Sequence, residues 1–359
     1  MKDMSNHSHF QGDIMRAFVT GSTGFLGSNL VQLLLAQGHQ VKALARSVEK
    51  ARKLLTDPRV EIVIGDMENI DGFKAHLAGC DVLFHTAAYF REYFEIGQDH
   101  WSKLEQINIK GTIQLLETAE QMGVKKTIYV SSSGVIGRAS DQRPADETTP
   151  PDSLALETNI YFKSKVIAEQ EVAKFVRSHQ MPVILILPTA ILGPQDAAPT
   201  ALGQAIVDVI NGKFPVIPPG GFEFVDARDV AQGMINAVEH GQNGERYILS
   251  AGYHSMAELV QAIGQTAGVK VPRMVMPYPL MRLMAQFAEM GARMRGKSPD
   301  ITVNAVDTMA HQYPVTAQKA QRELRVHFRP FHETVRDEVH WYTQQGYVKA
   351  KSTPTFAGV

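Results

Sequence analysis

Two short stretches hold the residues with chemistry in them: Ser131-Ser132-Ser133-Gly134 and, further on, Tyr161-Phe162-Lys163-Ser164-Lys165. On a helix, positions i and i+4 share a face, so Tyr161 and Lys165 point the same way. An ammonium beside a phenol favours the phenolate and lowers its pKa from about 10, which makes tyrosine an acid and base usable near neutrality. A serine hydroxyl at a neighbouring strand end can hold a substrate oxygen in line with that phenol. Tyr-x-x-x-Lys pairs also recur by chance on exposed helices. This one gains weight from its place, one strand and one crossover beyond the serines and downstream of a nucleotide-binding loop.

That loop is Gly21-Ser22-Thr23-Gly24-Phe25-Leu26-Gly27, which follows an apolar run at 17–20 and opens an amphipathic stretch ending near Gly38. Strand, glycine turn and helix in succession suit a dinucleotide, because glycines let the backbone approach a pyrophosphate and the helix start offers N–H groups to it. The spacing is Gly-x-x-Gly-x-x-Gly, and ordinary loop chemistry is the plainer alternative. The second strand ends in Ala45, where an acidic residue would meet the ribose of NAD; Arg46 follows, with Arg52 and Lys53 close behind. A guanidinium without the carboxylate suits the 2′-phosphate of NADP, although an arginine at a strand end can simply be solvated. The expected cofactor is NADP(H), with NAD as the alternative.

Asp66, with Met67 beside it, stands where a carboxylate can accept from the adenine amino group; a turn aspartate is the other reading. Ala87 and Ala88 are small enough for a cofactor to lie against the strand end. His85 closes a buried strand with no second histidine or carboxylate at ligand spacing, so it reads as structural. No metal site is read.

These residues need a scaffold. Short β-branched runs at 17–20, 40–45, 60–64, 81–85, 127–130 and 183–187 alternate with helix-length amphipathic segments, the rhythm of an α/β, Rossmann-type, doubly wound parallel sheet. The segment 101–121 places Leu104, Ile107, Leu115 and Ala119 on one helix face, and Gly123 stops it. Residues 15–190 form the NAD(P)-binding unit, with a return of the chain at 225–240. Beyond Pro188 the composition shifts to loops and helices, so 191–348 reads as a smaller, mainly helical C-terminal substrate domain, with flexible tails at 1–14 and 349–359. The cleft between the units, lined by 89–94 and 195–202, is where a substrate belongs. Met281, Met284, Met290 and Met294, with Arg282, Arg293, Arg295 and Lys297 nearby, mark a lid, a core helix or a surface-contact helix.

Bulk numbers narrow the partners. Among 359 residues, 36 lysines and arginines nearly cancel 37 aspartates and glutamates, which leaves no overall footprint for nucleic acid. A small molecule is the expected partner. Cys80 is the single cysteine, which excludes an intramolecular disulfide and fits a buried thiol in a reducing compartment. The purest apolar run, 183–187, stops at Pro188, far short of a membrane span, so a cytoplasmic protein without stable membrane insertion is expected.

Taken together, the chain resembles the extended short-chain dehydrogenase/reductase superfamily, the NAD-dependent epimerase/dehydratase family with its dihydroflavonol-reductase-like members. The likeness is carried in order by Gly21-x-x-Gly24-x-x-Gly27, Gly65-Asp66, Ala87-Ala88, Asn108-x-x-Gly111-Thr112, Ser131-Ser132-Ser133, Tyr161-x-x-x-Lys165 and Pro188-x-x-x-x-Gly193-Pro194. It continues through Phe224-Val225-Asp226-x-Arg228-Asp229-Val230, Gly244-Glu245-Arg246-Tyr247 and Gln321-Arg322-Glu323-Leu324. The resemblance implies a Ser–Tyr–Lys set acting with a nicotinamide. Ser133, with Ser132 as fallback, would bond the reacting oxygen, Tyr161 would protonate it, and Lys165 would tune Tyr161 and hold the ribose. It further implies that Pro188 and Ile191 line the nicotinamide pocket, and that two copies pair through the helices of Trp101 and Tyr161.

Two departures from that family matter. Sugar dehydratases carry an acid after the catalytic serine or threonine, where Gly134 and Val135 stand here; many sugar epimerases have Ser-Pro where Asn159-Ile160 precede Tyr161. Together with the missing acidic residue at the end of the second strand, they favour an NADP-dependent reductase of an aldehyde or ketone. The alternatives are an NAD-dependent nucleotide-sugar epimerase and a non-catalytic dinucleotide sensor, against which the intact Tyr161 and Lys165 argue.

Overall fold

A computed structural model describes residues 14–90, 100–139, 143–295, 301–310 and 314–348. Apart from Ile14, the expected tails lie outside the described residues, as do Lys297 and positions 91–94 of the expected cleft lining.

Beginning at the N-terminus, β1 (Arg16–Thr20), α1 (Phe25–Ala36), β2 (Gln40–Ala45), α2 (Val48–Leu54), β3 (Val60–Ile64) and β4 (Val82–His85) make the first half of a parallel sheet. A helical run over 100–121 follows, with α3 (His100–Lys103) and α4 (Gly111–Gln121) at its ends. The second half is β5 (Lys126–Val130), α5 (Ser153–Thr158), α6 (Ile160–Ser178) and β6 (Val183–Pro188). Alternation along the strands explains the layers. Ala17 and Val19 enter the core shared with Leu30 and Leu34 of α1, whereas Phe18 enters the opposite one with Leu115 of α4 and Val172 of α6. Strands buried on both faces must be covered by helices on both sides.

Between α3 and α4 the run widens into a π-helical stretch, Leu104–Lys110. An unbroken α-helix, as expected from the sequence, would bury Leu104 and Ile107. Leu104 is buried as expected, but the wider turn leaves Ile107 only partly buried and brings Asn108 and Ile109 inside.

After β6 come β7 (Ala190–Leu192), α7 (Ala201–Ile210), β8 (Gly221–Asp226), α8 (Ala227–His240), β9 (Arg246–Leu249) and β10 (Gly252–Ser255). Residues 225–240 return to the first unit mainly as α8, whose Val230 and Met234 pack in the core with α1. The strand that joins the sheet is β9, giving seven strands in the order β3-β2-β1-β4-β5-β6-β9. A second sheet, β10-β8-β7, pairs β8 antiparallel to β10 and parallel to β7. The chain closes with α9 (Met256–Ala267), α10 (Tyr278–Arg295), α11 (Val303–Ala310), α12 (Gln318–Glu323) and α13 (Phe331–Gln344). Leu192, Ile206, Phe224, Leu259 and Val339 bury a third core there.

Candidate active site

The glycine loop is shaped by contact. Gly21 has φ +66°, and a Cβ on it would stand 2.7 Å from the Ala87 nitrogen. A Cβ on Gly27 would collide with the Gly21 carbonyl oxygen. The loop therefore folds onto the start of α1 and against the Ala87-Ala88 segment beyond β4. The Thr86 hydroxyl donates to the Thr20 carbonyl at 2.7 Å and locks that approach. Gly24 is the N-cap of α1 and supplies no side-chain bond to the N–H groups of the first turn, which holds Phe25 and Leu26 and follows Thr23. A cradle that any Cβ would fill, opening on an uncapped helix start, fits a dinucleotide pyrophosphate.

At the neighbouring strand ends, Arg46 and Asp66 meet: Arg46 Nε lies 4.0 Å from Asp66 Oδ2, with the side chains 72% and 42% exposed. Asp66 also accepts the Glu68 N–H at 2.9 Å, so it does serve as a turn aspartate. Met67 is buried behind it.

His85 is structural, as its setting in the sequence implied. Thr112 donates to the Asn108 carbonyl at 2.8 Å, which leaves its oxygen to accept from His85 Nε2 at 3.1 Å. Nδ1 then accepts from the Thr20 hydroxyl at 2.8 Å. Burial, helped by the charge of Lys165, lowers the imidazole pKa to about 3 and keeps it neutral. Cys80 is likewise buried, and burial pushes its thiol pKa up.

Asn108 is a site residue that sequence reading named only as part of a motif. From the π-helical turn it accepts the Tyr89 N–H at 2.7 Å, donates to the Tyr89 carbonyl at 3.1 Å and reaches Ser164 Oγ at 3.3 Å. It thereby ties the segment after β4 to the residue beside Lys165.

The end of β5 and the start of α6 meet at Gly134, where a Cβ would enter the Phe162 ring. Asn159 caps α6 through the Phe162 N–H at 3.1 Å. Ser132 accepts the Gly134 N–H at 3.2 Å, and Ser133 opens the short 3₁₀ turn Ser133–Val135. Ser133 and Tyr161 thus flank one packed junction. The Tyr161 ring centre lies 4.7 Å from that of Phe90 and 5.7 Å from that of Phe162.

The phenol differs from expectation: burial raises its pKa. The ammonium instead donates to the Val130 carbonyl at 2.9 Å. Burial brings Lys165 down to about 8, while Glu169, one turn further along α6, pulls it back up. Glu169 is itself ion-paired with Arg246 of β9 at 3.1 Å. Sequence reading missed Glu169, although Tyr161, Lys165 and Glu169 repeat at i, i+4 and i+8 and Arg246 belongs to a quoted motif.

Pro188 ends β6 opposite Leu249, and Ile191 of β7 pairs with Val225. The next turn is pinned from both units. The Pro194 carbonyl accepts from Asn29 of α1 at 2.9 Å, and the Gly193 N–H donates to Glu338 of α13 at 2.8 Å. Within the expected cleft segment 195–202, Asp196 turns inward to accept the Tyr342 hydroxyl at 2.9 Å. Asp226 caps α8 and accepts the Thr334 hydroxyl at 2.8 Å, while Arg228 spans Asp226 and Asp337. That motif is a clamp between α8 and α13.

Known proteins resemble this chain in sequence and fold. The profile of the NAD dependent epimerase/dehydratase family matches residues 17–250. The chain is 32% identical over 340 residues to a Synechocystis sp. protein named "Putative dihydroflavonol 4-reductase", covering 93% of this chain and 96% of that one. It is 28% identical over 326 residues to the 4-hydroxy-2-methyl-3-oxo-4-farnesyl-3,4-dihydroquinoline-1-oxide ketoreductase of Stigmatella aurantiaca, covering 89% and 94% of the two chains. The crystal structure of gox2253 superposes with a TM-score of 0.77 at 33% identity, covering 93% and 99%. The loop, the Tyr–Lys helix and these matches agree: the chain belongs to the NAD dependent epimerase/dehydratase family, as an extended short-chain dehydrogenase/reductase that works with a nicotinamide dinucleotide.

Proposed function

We propose that the protein is an NADP-dependent reductase of a small aldehyde or ketone. The observation that carries this reading is the setting of Tyr161. It stands one turn before Lys165, walled by Phe90 and Phe162, beside a turn whose residues after Ser133 are Gly134 and Val135. No acid in that turn is available to eliminate water, and the aromatic wall suits an apolar carbonyl compound. The names of the Synechocystis and Stigmatella relatives, a reductase and a ketoreductase, support the same class.

In this reading Gly21, Gly24 and Gly27 with Thr23, Phe25 and Leu26 hold the pyrophosphate, and Arg46 takes the 2′-phosphate. Asp66 and Met67 border the adenine; Ala87, Ala88, Pro188 and Ile191 line the path to the nicotinamide. When bound, the reduced cofactor supplies hydride. Ser133 donates a hydrogen bond to the carbonyl oxygen, Ser132 being engaged as the cap of its turn. Tyr161 gives that oxygen its phenolic proton. A raised pKa keeps the phenol protonated until it is needed, and the Lys165 ammonium stabilises the phenolate left behind. We further propose that two copies pair through the 100–121 run and α6.

Net NADPH consumption across aromatic aldehydes, aliphatic ketones and nucleotide sugars tests the proposal, with NADH in parallel and Tyr161→Phe as control. Stoichiometric consumption with a carbonyl compound, lost in Tyr161→Phe, is expected. Conversion of a nucleotide sugar to its epimer without net consumption would replace it with the epimerase reading.

A further inference from the structure

Helix α10 is apolar on two sides. Met281, Ala285 and Ala292 are buried, and the first two join the third core with Val306 and Met309. Leu280, Leu283, Met284, Phe287, Met290 and Met294 are exposed, Phe287 by 60% and Met294 by 83%. Their three- and four-residue intervals set them on one stripe, opposite the packed face. Met274, 62% exposed, and Val275 extend the patch. Their backbone is held by two hydrogen bonds of 2.9 Å between Ile217 and residues Met274 and Met276. A surface exposed only to water seldom gathers so many large apolar side chains.

Charge identifies the occupant. Residues 268–295 carry Lys270, Arg273, Arg282, Arg293 and Arg295 against a single acid, Glu289, in a chain whose net charge is −1. Glu289 accepts the Val303 N–H at 2.8 Å, and Asp307 of α11 pairs with Arg282 at 3.1 Å, so both carboxylates are engaged between α10 and α11; Arg282 is offset, and the basic excess rests on the other four cations. A second copy on this face would bring two basic margins together. An anionic surface meets the apolar stripe and its basic margin at once, as when an amphipathic helix lies among lipid headgroups. No helix among the described residues is long and apolar enough to cross a membrane, so contact runs along the side of α10. We infer that α10, with Met274 and Val275, docks the protein reversibly on an anionic lipid bilayer.

Flotation of the full chain with vesicles of phosphatidylglycerol and phosphatidylcholine in equal parts tests this, with pure phosphatidylcholine vesicles alongside. The chain is expected to float with the anionic vesicles and to be released as salt rises. The Phe287→Glu/Met290→Glu variant should lose about tenfold or more of the bound fraction, with its thermal transition unchanged because both side chains are exposed. Leu283→Glu/Met294→Glu is the second variant should the first misfold. No flotation on anionic vesicles, or flotation unchanged in a folded variant, overturns the inference. So does a dimer in light scattering that either variant splits, since the face then belongs to a second copy.

Discussion

Lys165 donates to the Val130 carbonyl at 2.9 Å, so the cation of the Tyr–Lys helix is anchored to the end of the central sheet. Its charge near pH 8 depends on Glu169 behind it. In Glu169→Gln the ammonium loses that support and deprotonates at lower pH. The alkaline limb of kcat/KM should move toward acid, with about a tenfold loss at pH 8 and little at pH 6.5. An equal loss at all pH values would show that Glu169 acts only on structure.

Arg46→Asp should exchange cofactor preference. The Arg46–Asp66 pair is exposed and contributes at most about 1 kcal/mol, so the fold should not notice. KM for NADPH is expected to rise about 10- to 100-fold while that for NADH falls or stays level. Steady-state kinetics with both cofactors check this, and an unchanged ratio removes the basis for NADP.

Two glycines should behave differently on substitution. In Gly27→Ala the new methyl meets the backbone of Gly21 and Ser22, which cannot move without opening the loop. A loss of about 1–3 kcal/mol and a sharp fall in cofactor affinity are expected. Gly38, at φ +85°, has open space around it, so Gly38→Ala should cost about 1 kcal/mol through the backbone alone and leave cofactor binding intact. Calorimetry and a cofactor titration separate the two.

The buried Glu338 predicts a pH-dependent gain. Burial first, then the charges of Asp196 and Asp226, raise its pKa well above the usual carboxylate value. A raised acid favours the fold while protonated, below its unfolded pKa of about 4.3, and loses that contribution as pH rises through the folded value. Glu338→Gln keeps an oxygen for the Gly193 N–H and removes the charge. Its thermal transition should exceed that of the parent by a few degrees at pH 8, and the gap should close near pH 4. A variant less stable at pH 8 would contradict the sign.

What could be read in the sequence was local. Three glycines at a strand–helix junction declare a close backbone approach, and Tyr161 and Lys165 share a face by spacing alone. Strands β1 to β6 stand out as apolar runs, although β3 at the sheet edge exposes Glu61 and Ile64. By contrast, β7, β9 and β10 are three or four residues long and lie beyond Pro188, where the regular strand–helix rhythm that marks the equally short β4 breaks. Asn108 enters the site only because packing widens one helical turn. Glu169 needed Arg246, and Glu338 needed Gly193, partners that lie far along the chain and meet only after folding.

The clamp between α13 and the loops beyond β6 also has a bearing on how the protein is made. Asp196, Asp226 and Arg228 leave the ribosome more than a hundred residues before Thr334, Asp337 and Tyr342, the side chains that engage them. Until then a growing chain carries two carboxylates destined for burial, Asp196 and Asp226, without the hydroxyls of Tyr342 and Thr334. The nucleotide-binding half can assemble early, but the turn at Gly193 settles only when Glu338 arrives. A product cut short before α13 should therefore be treated by the cell as unfinished, however complete its cofactor loop.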